Sequence, residues 1–300
     1  MKQAFARLLL SLTLACLTGQ AALARCADYV PQPKPQNASR DVVGQDLDTI
    51  LEKGVITFAA YEDFSPWSYQ DSGQPAGVDI EIGRLIAADL GVEARFKLVT
   101  PGENLETDLR NWIWKGPAVG GEVANVMLHV PYDSEFACRV EQVTFTGQYH
   151  QEKVGIAYRR DAYPEDPPVP AYFRFDTVAV ENDSIADFYL SSFPGGQLGR
   201  NVHRFATMAA AMAALAGGET KAAMGPLAQL EFALSDDLAV HTPPLPGFSV
   251  GQWTAGIAVN FRYRALGYAV GDAIFAAVDD GRMKAIFDQY DLTFAPPALR

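Results

Sequence analysis

The stretch from Gly54 to Leu90 constrains this chain most, because its hydrophobic period changes from that of a strand to that of a helix across one short loop. Val55 to Ala60 is an apolar, partly β-branched run, which predicts a buried strand. Tyr61 to Tyr69 then gathers Tyr61, Phe64, Trp67 and Tyr69 around Pro66, in the loop that leaves the strand. Asp71-Ser72-Gly73-Gln74-Pro75 is turn chemistry. From Val78 onward, Ile82, Leu85, Ile86 and Leu90 recur at helical spacing and give a helix one apolar face. A loop at the carboxyl end of a strand, followed by a helix, is where open α/β sheets bind ligands. The four aromatics are therefore candidate ligand contacts, since Pro66 and its polar neighbours put the loop at a surface or cleft. The plainer alternative makes the same rings core.

The chain has 300 residues, 49% of them hydrophobic, enough for two domains each with its own core. Met1 to Arg7 is basic, Leu8 to Leu17 is apolar, and Ala22-Leu23-Ala24 fits a small-x-small cleavage site. That pattern predicts a secretory signal peptide over 1–24 and a mature chain starting near Arg25. Arg25 to Gln45, rich in Pro, Asn and Gln, reads as an extended lead-in. The formal charge is −12, and losing Lys2 and Arg7 with the signal makes the mature chain more acidic still. Such a surface, with no basic patch, argues against nucleic acid as a partner. Cys26 and Cys138 remain after cleavage, and an oxidising compartment permits one bridge between them.

Further along, the patterns predict a helix over Leu105 to Lys115, a strand over Ala124 to Val130 ended by Pro131, and two strands over Val143 to Tyr149 and Lys153 to Arg159. Asp161 to Pro170 reads as a connector, and Thr177 to Val180 as a strand. The Ala- and Met-rich Phe205 to Leu215 reads as a helix whose methionines fill core. A strand over Lys221 to Met224, a helix over Leu227 to Leu234, a strand over Thr254 to Val259 and a long helix over Ala265 to Val278 complete the series.

Strand, Asp63-Phe64-Ser65-Pro66-Trp67-Ser68-Tyr69, then Gly77-Val78-Asp79-Ile80-Glu81 resembles the opening of the family 3 periplasmic solute-binding proteins, which include the amino-acid receptors of ABC importers. Asp279-Asp280-Gly281 with the segment through Tyr290 resembles that family's closing helix. The order of segments agrees from about Leu47 to about Leu292. The resemblance implies an α/β fold of two lobes joined by two crossover strands, lobe one over 46–150 and 256–300 and lobe two over 151–255. It implies a periplasmic, non-catalytic protein that closes on a small molecule and delivers it to an inner-membrane ABC permease, with no cofactor. Phe64 matches the aromatic that stacks on the ligand, and Trp67 the aromatic after the proline. Counted back from Phe145-Thr146, Arg139 falls at the place of the arginine that grips a ligand carboxylate; counted forward from Val130-Pro131, it is late. Ser184, in Asn182-Asp183-Ser184, stands where the family has an anion-binding loop, but Asp183 has the wrong sign for a carboxylate. Gly225-Pro226 stands where the family has the acid for a ligand ammonium. These departures disfavour a standard amino acid and leave a neutral, apolar or cationic ligand, or none.

The departures and Val130-Pro131 also resemble the J-type branch associated with quinoprotein (PQQ-dependent) methanol and alcohol dehydrogenases. That branch implies a periplasmic accessory protein that binds the dehydrogenase or serves its maturation. Trp112 and Trp114 lie in a stretch longer than the family pattern; exposed, they mark a partner surface, and buried, they are packing. His129, beside Pro131 at the end of a strand, is a cleft candidate or a structural histidine. The four histidines show no metal-ligand spacing, so no metal is expected. Gly247-Phe248-Ser249-Val250-Gly251 matches a nucleophile elbow in letters only, because Thr242-Pro243-Pro244-Leu245-Pro246 precedes it where a strand is needed.

Overall fold

Asp46 accepts the N–H of Thr49, and Gly54 takes a left-handed conformation, so helix α1 (Leu47–Lys53) is closed at both ends. This computed structural model describes residues 30, 43–248 and 251–297. The expected signal peptide, nearly all of the lead-in, Cys26, Ser249 and Val250 lie outside them. Cys138 is disulfide-bonded.

From Gly54 the chain enters strand β1 (Val55–Tyr61). Its Ile56, Phe58 and Ala60 face one buried cluster and Ala59 faces another, as a central strand covered on both sides requires. The turn after the aromatic loop is a small hairpin of β2 (Tyr69–Asp71) and β3 (Gln74–Ala76). Helix α2 (Val78–Leu90) follows, then β4 (Glu93–Val99), parallel to β1 along its length.

The helix expected through Lys115 is shorter. Helix α3 (Leu105–Leu109) passes into a π-helical turn at Arg110–Trp114, where the Lys115 N–H donates to the Arg110 carbonyl five residues back. Strand β5 (Val126–Tyr132) runs through Pro131 rather than stopping at it. β1 pairs only with Val126 and Met127, so on that side Pro131 has no strand neighbour for its missing N–H to fail. After α4 (Ser134–Arg139), the two expected strands are one continuous 17-residue strand, β6 (Val143–Arg159).

The remaining elements are β7 (Val178–Glu181), α5 (Ile185–Ser191), β8 (Val202–Phe205), α6 (Met208–Ala216), β9 (Ala222–Pro226), α7 (Leu227–Phe232), β10 (Leu238–His241), β11 (Gln252–Asn260), α8 (Arg264–Asp280) and α9 (Arg282–Asp288). β8 and β10 had no clear signal in the sequence.

Among the described residues the main sheet runs β4-β1-β5-β11-β6-β9-β7-β8, with β10 also on β6. β6 makes it two lobes. From Val143 to Lys153 it pairs with β11; from Val154 to Tyr158 it pairs with β9 instead. Each part of the sheet is packed on both faces. In the first, Ile82 and Ile86 of α2, Val270 and Ile274 of α8 and Phe287 of α9 cover one face, and Leu109 and Ile113 the other. In the second, Ala186 and Leu190 of α5 lie on one side; Met208, Met212 and Leu215 of α6 lie on the other. The methionines fill core as expected. Among the described residues no helix is long and apolar enough to cross a membrane, and no group of acids, histidines and cysteines is placed to hold a metal.

Candidate functional site

The aromatic loop is held by its own backbone. Phe64 and Ser68 exchange two backbone hydrogen bonds, Trp67 N–H donates to the Phe64 carbonyl, and buried Ser68 donates Oγ–H to the Tyr61 carbonyl at 2.6 Å. The Pro66 and Trp67 carbonyls accept the N–H groups of Val78 and Asp79 at 3.0 and 2.9 Å. The loop is thereby fixed to the start of α2, and Trp67 is only 1% exposed.

This loop forms one wall of a cavity of about 250 Å³ at the junction of the lobes. Tyr61, Phe64, Trp67, Leu105, His129 and Pro131 line it from the first lobe. Glu152 of β6, Pro226 at the end of β9 and Trp253 of β11 line it from the junction and the second lobe.

His129 takes a left-handed backbone conformation (φ 53°) within β5. Its ring lies 4.3 Å from that of Trp67 and 5.1 Å from that of Phe64, centroid to centroid. Its Nδ1 is 3.2 Å from the Tyr149 hydroxyl and 3.3 Å from Asp79 Oδ2. The Tyr149 hydroxyl donates to Asp79 Oδ1 at 2.7 Å, so it accepts from His129, which places a proton on Nδ1. Burial, then the Asp79 charge, push the Tyr149 phenol well above its usual range, so it stays a donor. Tyr61 donates its hydroxyl to Asp108 Oδ2 at 2.8 Å, and burial followed by the Asp108 charge pushes that phenol up too.

Glu152 is 1% exposed. Its Oε1 accepts the Lys153 N–H at 2.8 Å and its Oε2 the Ala228 N–H at 3.4 Å. Burial pushes its carboxyl up to about 7, against the lowering effects of those two N–H groups and of His129. Behind the cavity, His150 packs among Trp67, Phe287 and Phe294. Burial, with a smaller effect from His129 and Lys153, pushes it down to about 3.

Four of the expected site residues thus meet at the cavity: Tyr61, Phe64, Trp67 and His129. Three are not among its lining residues. Tyr69 sits in the hairpin with its ring 6.0 Å from that of Phe232. Arg139 is exposed on α4, over the Phe136 ring, because the short helix after Tyr132 carries it away from the end of β5. Ser184 caps α5, accepting from the Asp187 N–H. The second-lobe loop is occupied by the protein's own acid: Asp187 accepts from the Asp183 N–H, Ser191 and Arg204. Burial raises the Asp187 carboxyl, but these hydrogen bonds outweigh it and hold the group below its ordinary value. Trp112 and Trp114 are half-buried against the first-lobe core, with Lys97 over the Trp112 ring, so the pair is packing rather than an open surface.

Sequence reasoning missed Glu152 and Trp253. Gln151-Glu152-Lys153 reads as a polar break between two strands, when it is where one strand changes partners. Around the nucleophile-elbow letters, Thr242 to Leu245 carry no regular structure, and Gln252 opens a strand where the elbow needs a helix.

The solved structures similar to this chain share its architecture. An ancestral cationic amino-acid solute-binding protein matches at 18% identity over 82% of this chain and 99% of its own, with a TM-score of 0.68. The chain has the two-lobed periplasmic-binding-protein fold. An amino-acid ABC transporter substrate-binding protein from Streptococcus pneumoniae, bound to L-arginine, matches this fold at 20% identity over 84% of this chain and 100% of its own, TM-score 0.59. The solute receptor for L-cysteine of Neisseria gonorrhoeae matches it at 22% identity over 82% and 93%, TM-score 0.57. Residues 56–112 match the family of bacterial extracellular solute-binding proteins, family 3. That segment contains β1 from Ile56 onward, the aromatic loop and α2. Comparison with curated protein sequences finds no match.

Proposed function

We propose that this chain is a non-catalytic, periplasmic solute-binding protein of the family 3 type, which closes its lobes on a small molecule other than a standard amino acid and presents it to an ABC permease. One observation carries the reading: the aromatic loop, the end of β5 and both crossover strands converge on a single cavity. That is where a hinge between lobes allows a ligand to be enclosed. The match over residues 56–112 and the shared fold support it. We take lobe one as roughly 46–150 with 256–300, and lobe two as 151–255. The similar proteins are described with amino acids, L-arginine and L-cysteine. Here the residues lining the cavity include no arginine or lysine to grip a carboxylate, which sets this ligand apart from a free amino acid. The accessory role with a quinoprotein dehydrogenase loses the surface that would have favoured it, since Trp112 and Trp114 pack against core.

A thermal-shift screen of the purified mature protein against amines, alcohols, sugars, organic acids and amino acids tests this. A ligand confined to the folded state stabilises it by about 2.7 kcal/mol at a hundredfold excess over its dissociation constant. The expected result is a shift with one chemical class that disappears in Trp253→Ala. No shift with any class would overturn the receptor reading.

A further inference from the structure

The polar groups facing the cavity share one character. Tyr61 has its hydroxyl proton committed to Asp108, and His129 has its Nδ1 proton committed to Tyr149. What remains is the Glu152 carboxylate, an acceptor held by backbone N–H groups alone. The lining residues include no lysine or arginine, and among the described residues Glu152 has no ion-pair partner from either. It is held by two backbone N–H groups only, inside a wall contributed by Tyr61, Phe64, Trp67 and Trp253. A buried acid of this kind is stabilised by an opposite charge, and aromatic faces attract a cation through their quadrupoles. A carboxylate on the ligand would meet Glu152 with no lysine or arginine in the lining to offset it. The volume, about 250 Å³, is below that of pockets for drug-sized ligands.

We propose that the cavity binds a compact organic cation without a carboxylate, a small amine or quaternary ammonium, with Glu152 as its counter-ion and the aromatic residues as its walls. This rests on the receptor reading above and names its ligand class. A purely structural Glu152, tying β6 to the start of α7 through Ala228, is the alternative, and it predicts no charge selectivity.

The test is calorimetric titration of the mature protein with four probes: choline, propylamine, the neutral choline isostere 3,3-dimethylbutan-1-ol, and glycine betaine, which adds a carboxylate. At least one of the two cations should bind about tenfold or more tightly than both the alcohol and the betaine. Glu152→Gln should remove about tenfold or more of that affinity and leave the alcohol unaffected, and Trp253→Ala should weaken the cation while the fold persists by melting temperature. For choline, whose charge is fixed, affinity should rise about tenfold between about pH 6 and about pH 8 as Glu152 ionises, and Glu152→Gln should flatten this profile. His129 and Glu231 are the other titratable groups whose charge acts on Glu152, and from Lys153 and Ala228 only the backbone N–H does. Equal or better binding of the alcohol or the betaine would overturn the cation proposal and leave the receptor standing. Failure of both cations, with a hit elsewhere in the broader screen, would also overturn the cation proposal alone. Silence in both experiments would overturn the receptor as well.

Discussion

Gly77 shows how tightly single residues fix the site. Its φ is 118°, its N–H donates to the Tyr290 hydroxyl at 3.1 Å, and a Cβ there would lie 2.3 Å from the Trp67 carbonyl oxygen and 2.8 Å from that of Pro66. Those carbonyls receive the first N–H groups of α2, so the obstruction is backbone that cannot turn aside. Gly77→Ala should therefore cost at least ~2 kcal/mol, read as a lower urea midpoint. An unchanged midpoint would mean that the loop is not held as described. This glycine was legible in the sequence as part of the Gly-Val-Asp motif. The role of Glu152 was not, since a glutamate between a glutamine and a lysine carries no local sign of burial.

Helix α7 connects the lobes at the scale of an element. Its Gln229 donates Nε2–H to the Ser65 carbonyl at 3.3 Å, and Phe232 lies against Tyr69. Glu231 accepts the N–H and the Oγ1–H of Thr293 at 2.8 and 2.6 Å. Ala228 is buried with the first-lobe core although its helix follows a second-lobe strand. Glu231→Ala removes both bonds to the C-terminal segment and should cost ~1–3 kcal/mol. It should also enlarge the radius of gyration of the ligand-free protein in small-angle scattering, with wild-type dimensions restored by ligand. An unchanged radius would show that α7 does not hold the lobes together. The helix itself was readable from its apolar spacing. Its contact with Ser65 was not, because that bond spans 164 residues and no local pattern encodes its partner.

For the whole molecule, the two buried groups behind and beside the cavity give opposite pH dependences. His150 falls from its ordinary 6.5 to about 3 on folding, so its contribution is complete above about pH 6.5 and is lost as pH falls toward 3. Glu152 rises from 4.5 to about 7, so its contribution is complete below about pH 4.5 and is lost as pH rises through 7. Between about 4.5 and 6.5 the two slopes oppose each other. Each is worth about 1.4 kcal/mol per pH unit at most. Urea denaturation across pH should show His150→Gln losing the acid-side slope, and Glu152→Gln gaining stability relative to wild type as pH rises past 4.5. Parallel curves for wild type and variants would place both groups in water. By itself the sequence determined most of the strands and helices, though not β8 or β10, and the aromatic loop with its glycine, because period, caps and turns are properties of neighbouring residues. The tertiary structure alone decided that β6 is one strand shared by two lobes, that Arg139 is not among the residues lining the cavity, and that Glu152 is. Burial of a polar group depends on partners far along the chain: Ala228 lies 76 residues from Glu152, and Asp79 lies 70 from Tyr149. Only the packed fold brings such groups within reach of each other.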